Sequence, residues 1–352
     1  MTGTKMMGFV YQGPGVPAEL RELPKPEAGP GEVVVRVGAN TVCGTDLRIL
    51  RGEKTKGVAL GVVLGHEVAG HVTQIGEGVA DFAEGDLVSL PPSVNCGVSG
   101  SCRRGHEHLC ESAHLVGYDI NGGLAEYMLI PKQAINRKQL MKADAALDPA
   151  QLALAEPLSC CLNGMDNYRI EVGDTVVILG AGPIGLFHLQ LAQMAGARTV
   201  VVSDPSESRR RAAESLGADT VVDPAASDLK SAVFDLTGGE GADVAVLCIG
   251  RPQLVNDALN VVRKRGRVSI FAGLAGEGWS EIAANLIHYR ELTVVGASNS
   301  GRQSFLRAVR LIESGQIDTK SLITHNFPLL RAAEAIEFVA SGEGIKVAVR
   351  PD

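Results

Sequence analysis

Cys43 in VCGTD, His66 and Glu67 in LGHEVAG, and Glu156 in LAEPLS lie in three separate stretches of the chain. Together they offer a thiolate, an imidazole and two carboxylates. That donor set suits a borderline-soft tetrahedral ion such as zinc, and a catalytic zinc keeps one position open for substrate. Singly, each residue has an ordinary use: a small core cysteine, a hydrogen-bonded histidine, surface acids. Their joint occurrence, each in a glycine- or proline-bounded context, is what points to a metal. Thr45, two positions past Cys43, carries a hydroxyl that can take a substrate proton and relay it through a cofactor ribose to solvent. Its ordinary use is to cap a short helix over residues 46–49. Asp46 could orient His66 from behind.

A second set lies downstream. Gly180, Gly182 and Gly185 form G-x-G-x-x-G in VVILGAGPIGLFHLQLAQ, with Pro183 and Ile184 completing the loop. The first glycine allows a tight turn, the second lets backbone N–H groups approach a pyrophosphate, and the third lets strand and helix pack closely. The next apolar run ends in Asp204, at the distance expected of an acid that binds the adenosine ribose. An acid there repels a 2′-phosphate, which favours NAD over NADP; nearby Arg209 is the opposing signal. The ordinary use of Asp204 is a helix N-cap. A zinc ion polarises an alcohol oxygen and so eases hydride transfer from the adjacent carbon to a nicotinamide, which joins the two sets in one chemistry.

The elements that must position these groups follow from composition and patterning. The chain has 352 residues, enough for two cores, with 45% hydrophobic and 21% charged residues and a net charge of -7. Mild acidity without a basic block argues against nucleic acid or anionic membranes as partners. No apolar run reaches membrane-spanning length and the N-terminus lacks signal-peptide architecture, so a cytoplasmic enzyme is expected. The seven cysteines are bunched, with Cys96, Cys102 and Cys110 in one loop, a pattern that suggests metal binding over disulfides.

Residues 1–155 are rich in Gly, Pro and Val with short β-type runs at 32–37, 67–76 and 86–90, as in a small sheet or partial barrel. The aperiodic stretch 91–114 has the character of a metal-bearing or lid loop. From about residue 156 strands alternate with amphipathic helices: strands at 175–180, 199–204, 220–223, 243–250, 267–273 and 292–297, with helices between them. That alternation means a doubly wound parallel sheet over 156–297. Helices at 304–315 and 331–342 and a strand at 346–350 are expected to return to the first domain. The α/β Rossmann unit is thus inserted in a mostly-β catalytic domain made of 1–155 plus 298–352.

The residues resemble the zinc-dependent medium-chain dehydrogenase/reductase family. GHEVAGHVTQIGEGV matches its zinc signature at Gly65, His66, Glu67, Gly70, Gly76 and Val79, and VCGTDLR is similar to its first ligand segment. ALAEPLSC resembles the sorbitol-dehydrogenase-like branch, in which a glutamate replaces a cysteine ligand. The resemblance implies a GroES-like catalytic domain, a Rossmann domain, an active site in the cleft between them, and a homodimer or homotetramer. Two departures stand out. The family's structural zinc uses C-x2-C-x2-C-x7-C, but this chain has Ser99 in the second place between Cys96 and Cys102, with Cys110 in the fourth. Serine is a poor zinc ligand beside thiolates; His106, His108 or water would have to complete a second site. Arg48 stands where many relatives carry a histidine that ends the proton relay. Arginine cannot act as a base near neutrality, so the relay ends in ribose and water, or Arg48 binds an anion.

The expected activity is hydride transfer between a secondary alcohol (a polyol or sugar alcohol, neutral or phosphorylated) and NAD. A threonine-type amino-alcohol dehydrogenase is the near alternative, with Tyr118, Asp119 and Asn121 as candidate polar groups toward substrate. A zinc-free NADPH quinone or enone reductase on the same fold would lack the metal ligands. A non-enzymatic NAD sensor would not need Thr45.

Overall fold

The structure is a computed structural model that describes residues 4–276 and 278–351. Two compact units divide the chain: Met1–Ser159 with Asn299–Asp352, and Cys160–Ser298.

The first unit is built on a seven-stranded sheet. Its central strand is Val33–Thr41, whose Val33, Val34, Val35 and Val37 are all buried. Along one edge it pairs antiparallel with Glu67–Ile75, which continues to Leu87–Ser89 and Met141–Lys142. Along the other edge its start pairs with Tyr127–Ile130 and its end with Lys346–Arg350, which in turn pairs in parallel with Ile323–Pro328. The helices Arg302–Glu313 and Ala332–Ser341 and the strand after them thus belong to this unit. The register fixes three positions that matter below. Thr41 faces Glu67 across one edge and Ala348 across the other. Cys43 therefore follows the central strand by two residues, His66 precedes its neighbour by one, and Lys346 lies two residues before Ala348 on the opposite side.

The second unit carries a six-stranded parallel sheet in the order Thr220–Val222, Thr199–Ser203, Thr175–Leu179, Ala242–Leu247, Val262–Ile270, Thr293–Gly296. Every residue of Thr175–Leu179 is buried, as expected of a strand covered on both faces. Helices Pro183–Met194, Glu207–Ser215, Leu229–Leu236, Leu254–Val261 and Ala284–Arg290 connect the strands. This is the doubly wound Rossmann arrangement. The strand expected at 267–273 begins earlier, at Val262, directly where the preceding helix ends.

A buried histidine gives this unit a pH signature. His188, inside Pro183–Met194, meets the Tyr168 hydroxyl at 2.8 Å through Nδ1 and packs edge-on against Phe271 with ring centroids 4.6 Å apart. Its Nε2 is buried without a partner. Burial drives its pKa from 6.5 down to about 3. The unfolded chain takes up the proton near 6.5 and the folded protein only near 3, so this stability term is complete above 6.5 and shrinks as pH falls. Between those values the folding free energy should fall by about 1.4 kcal/mol per pH unit from this group. Urea unfolding at pH 7 and pH 5 checks it: His188→Gln should show a clearly shallower decline than the native chain.

Candidate active site

The ligand atoms of Cys43, His66 and Glu67 all lie within 4.8 Å of one another. Local structure explains the convergence. Cys43 is the N-cap of the helix Gly44–Leu50: its Sγ accepts from the Thr45 N–H at 3.5 Å, and the Asp46 carboxylate reaches back to the Cys43 N–H at 2.9 Å. This reciprocal capping box holds the thiol at the helix start. Thr45 lies in the first turn of the same helix.

Asp46 does a second thing. Its Oδ1 lies 3.3 Å from His66 Nδ1, an ion-pair contact that places a carboxylate behind the ring. Burial opposes a charged ring here, but Asp46 and Cys43 outweigh it and hold the His66 pKa well above its usual range. Both side chains are almost fully inaccessible.

Glu67 is fully buried and meets a cation that neither motif nor spacing signalled. Lys346 Nζ lies 2.7 Å from Glu67 Oε1 and 2.5 Å from Oε2, and it also donates to the Val42 carbonyl at 3.1 Å. The Thr41 hydroxyl donates to Glu67 Oε2. Both Glu67 oxygens are therefore engaged from behind while the carboxylate still borders Cys43 and His66. Lys346 is itself buried. Burial lowers its pKa, but Glu67, Cys43 and Glu156 together raise it above the ordinary value. Glu156, buried in the first turn of Ala155–Tyr168, is thus close enough to act on Lys346, although it lies outside the tight trio.

Tyr118 meets His66 edge-on, with ring centroids 6.0 Å apart. Asp119 and Asn121 are spent on local structure: Asp119 on His114 and the Leu115 N–H, Asn121 on the Val63 N–H.

In the second unit, the glycine loop has the form its spacing implies. At Gly180 φ is +109°, and a Cβ there would lie 2.5 Å from Ile249. A Cβ on Gly185 would lie 1.8 Å from the Gly180 carbonyl oxygen, so only glycine allows the helix to start so close to the strand. Gly182 is the N-cap of Pro183–Met194, with Pro183 and Ile184 in its first turn, and a Cβ there would meet nothing within 4 Å. That open space in front of unbonded helical N–H groups fits a pyrophosphate. Asp204, buried, accepts from the Ala181 N–H and the Ser206 N–H, each at 2.8 Å, and so braces the loop; Ser206, not Asp204, is the N-cap of the following helix. Arg209 is half-buried in that helix, and its neighbour Arg210 pairs with Asp223 at 3.0 Å.

Cys96, Cys102 and Cys110 also bring their sulfurs within 4.8 Å of one another. Ser99 is committed elsewhere: its Oγ accepts from the Cys102 N–H at 3.3 Å as the cap of Gly100–Arg103 and lies 3.7 Å from Cys110 Sγ. The Val98 N–H, with Cys110 and Ser99, draws the Cys96 pKa down to about 6, whereas burial raises that of Cys110. This loop supplies three cysteine sulfurs, and Ser99 stands where a fourth would be.

Residues 29–139 match the family profile described as "Alcohol dehydrogenase GroES-like domain", and residues 183–314 match "Zinc-binding dehydrogenase". An L-threonine 3-dehydrogenase from Pyrococcus horikoshii is 36% identical over 97% of this chain and 98% of its own length. The chain belongs to the zinc-dependent medium-chain dehydrogenase/reductase family, the alcohol dehydrogenase superfamily. A D-arabitol-phosphate dehydrogenase from Enterococcus avium is 32% identical over 98% of this chain and 97% of its own. A zinc-binding dehydrogenase from Sinorhizobium meliloti 1021, solved with NADP, superimposes with a TM-score of 0.93 at 35% identity, covering 99% of this chain and all of the other.

Membership in this dehydrogenase family makes the chain an oxidoreductase that works with zinc and a nicotinamide cofactor. The GroES-like and Rossmann domains are those of the family. Among the described residues no helix is long and apolar enough to cross a membrane.

Proposed function

We propose that this dehydrogenase oxidises a secondary alcohol, a polyol or sugar alcohol in neutral or phosphorylated form, with NAD as hydride acceptor. The observation that carries the reading is the convergence of Cys43, His66 and Glu67 at the helix start that also bears Thr45. In this reading Cys43, His66 and Glu156 hold the zinc, and Glu67 borders it, restrained by Lys346 and Thr41. The donor chemistry fits: one soft thiolate, one imidazole backed by a carboxylate, and acids in a buried setting.

Zinc, when bound, polarises the substrate oxygen. The rest falls to the chain. Asp46 backs the His66 ring, the capping box fixes Cys43, and Thr45 Oγ1 would accept the proton leaving the alcohol oxygen while passing its own to the cofactor ribose and on to solvent, as the hydride moves from the adjacent carbon to the nicotinamide. The three cysteines at 96, 102 and 110 would hold a second zinc only if His106, His108 or water supplied the fourth ligand, because Ser99 is used as a cap. Self-association through the edge strand Thr293–Gly296, giving a dimer or tetramer, and a cytoplasmic location belong to the same proposal.

The test is a panel of polyols, phosphorylated polyols and L-threonine, assayed with NAD and NADP in parallel after metal analysis of the purified enzyme. The expected result is at least one zinc per chain and a strong NAD preference in kcat/KM. Asp204→Ala should cut the NAD/NADP preference at least about tenfold, the scale of one lost charge-assisted contact or relieved repulsion. A metal-free enzyme that reduces enones with NADPH would overturn the reading. L-threonine as the one good substrate would move it to the amino-alcohol class, which relatives such as the Pyrococcus enzyme motivate.

A further inference from the structure

Two cations belong to the helix that starts at Cys43 and to the turn after it, and the chemistry described so far uses neither. Arg48 follows Thr45 by three positions, so both project from one face of the helix Gly44–Leu50. Past that helix the chain doubles back: the Glu53 and Lys54 N–H groups both bond the Arg48 carbonyl, at 2.9 and 3.1 Å. Lys54 is thereby returned to the helix end, where its Nζ lies 5.0 Å from the centroid of the Tyr118 ring. Tyr118 is the buried ring that meets His66 edge-on. One aromatic ring therefore separates the Lys54 ammonium from the imidazole.

The acids nearby do not consume these charges. Asp46 is buried against His66. Glu53 reaches Arg48 only at 3.9 Å, and 52% of its side chain stays in water. Among the described residues no carboxylate pairs with Lys54, whose half-buried side chain rests on an aromatic face instead. A guanidinium offers a planar fork and an ammonium a mobile point charge, a combination that suits phosphate or carboxylate oxygens. Lys54 Nζ and the His66 ring lie 5.0 and 6.0 Å from the same Tyr118 centroid, a separation that a substrate of a few carbons spans.

We propose that Arg48 and Lys54 form an anion subsite, so that the preferred substrate carries a phosphate or carboxylate a few carbons from the carbinol being oxidised. This rests on the reading of Cys43, His66 and Thr45 as the reacting end of the site. Substrates without an anionic group leave both cations in water and gain nothing from them.

The experiment compares a pentitol phosphate, the neutral pentitol and a β-hydroxy amino acid on the zinc-loaded native enzyme, on Arg48→Gln and Lys54→Gln, and on Lys56→Gln as an exposed control in the same turn. The native ratio of kcat/KM, anionic over neutral, should be at least tenfold. It should fall at least tenfold in Arg48→Gln or Lys54→Gln and hold in Lys56→Gln. Whether the phosphate ester or the amino acid shows the fall tells which anion the subsite takes. A native ratio near one, or a ratio that survives both substitutions, overturns the proposal. Phosphorus NMR line broadening of the pentitol phosphate under saturating NADH reads the same contact without turnover: broadening that Arg48→Gln abolishes supports the subsite, and none in the native enzyme overturns it. Failure to oxidise any alcohol, charged or neutral, with zinc and cofactor bound would instead defeat the functional reading on which it rests.

Discussion

Cys43→Ser is expected to fold like the native chain, to lose its active-site zinc, and to lower kcat/KM by about a thousandfold or more. Serine is chosen because Cys43 has two duties. As an N-cap it accepts from the Thr45 N–H and closes a capping box with Asp46, and a serine oxygen does that at least as well. As the ligand proposed above it would supply the soft donor beside His66, and a neutral hydroxyl cannot replace a thiolate in that role. Lewis-acid stabilisation is worth several kcal/mol, and about 4 kcal/mol corresponds to a thousandfold in rate. Metal content, thermal unfolding and steady-state kinetics separate the two duties. A variant that retains its full zinc complement and turns over within a few-fold of native would remove Cys43 from the chemistry.

Lys346→Met should be the most damaging substitution for stability. Lys346 and Glu67 form an ion pair at 2.5 Å with side-chain exposures of 5% and 1%. Removing the cation strands a buried carboxylate, with Cys43 and Glu156 nearby to worsen the repulsion. Breaking one side of such a pair costs about 3–5 kcal/mol, a large share of the roughly 5–15 kcal/mol that holds a typical domain. Restoring neutrality with Glu67→Gln in the same chain should recover much of the loss, because the penalty comes from the uncompensated charge. Denaturant unfolding of the native chain, the single variant and the double variant measures this directly. A single variant within about 1 kcal/mol of native, or a double variant no better than the single, would show that the pair does not carry that weight.

What the sequence reveals and what it hides follow a physical line. Cys43, His66 and the glycine loop are legible because each sits in a short segment whose chemistry demands particular neighbours. The parallel sheet is legible because strands covered on both faces must be almost wholly apolar, as in Thr175–Leu179. Lys346 is not legible. KVAVR reads as a strand ending, and a lysine at its start looks like an exposed charge. Only the register, which sets Thr41 between Glu67 on one strand and Ala348 on the other, turns it inward. Thr41 is hidden for the same reason. The helix Ala284–Arg290 escapes notice because it is short and no helix cap precedes it. Arg263–Arg265 fall in a bulge between Val262 and Arg267, which pair with Ala242 and Val244, and Arg265 takes a left-handed φ of +59°, a break in the strand that its sequence pattern does not signal. Ser99 shows the converse: its replacement of a cysteine is plain in the sequence, but its use as a helix cap is visible only in three dimensions.

The Glu67–Lys346 pair joins residues that are 279 positions apart. During translation the thiol and imidazole leave the ribosome long before the cation that neutralises their acidic neighbour. Until the strand Lys346–Arg350 docks, Glu67 has no cation to balance it, so a nascent chain halted just short of residue 346 would carry every proposed zinc donor beside an unneutralised carboxylate.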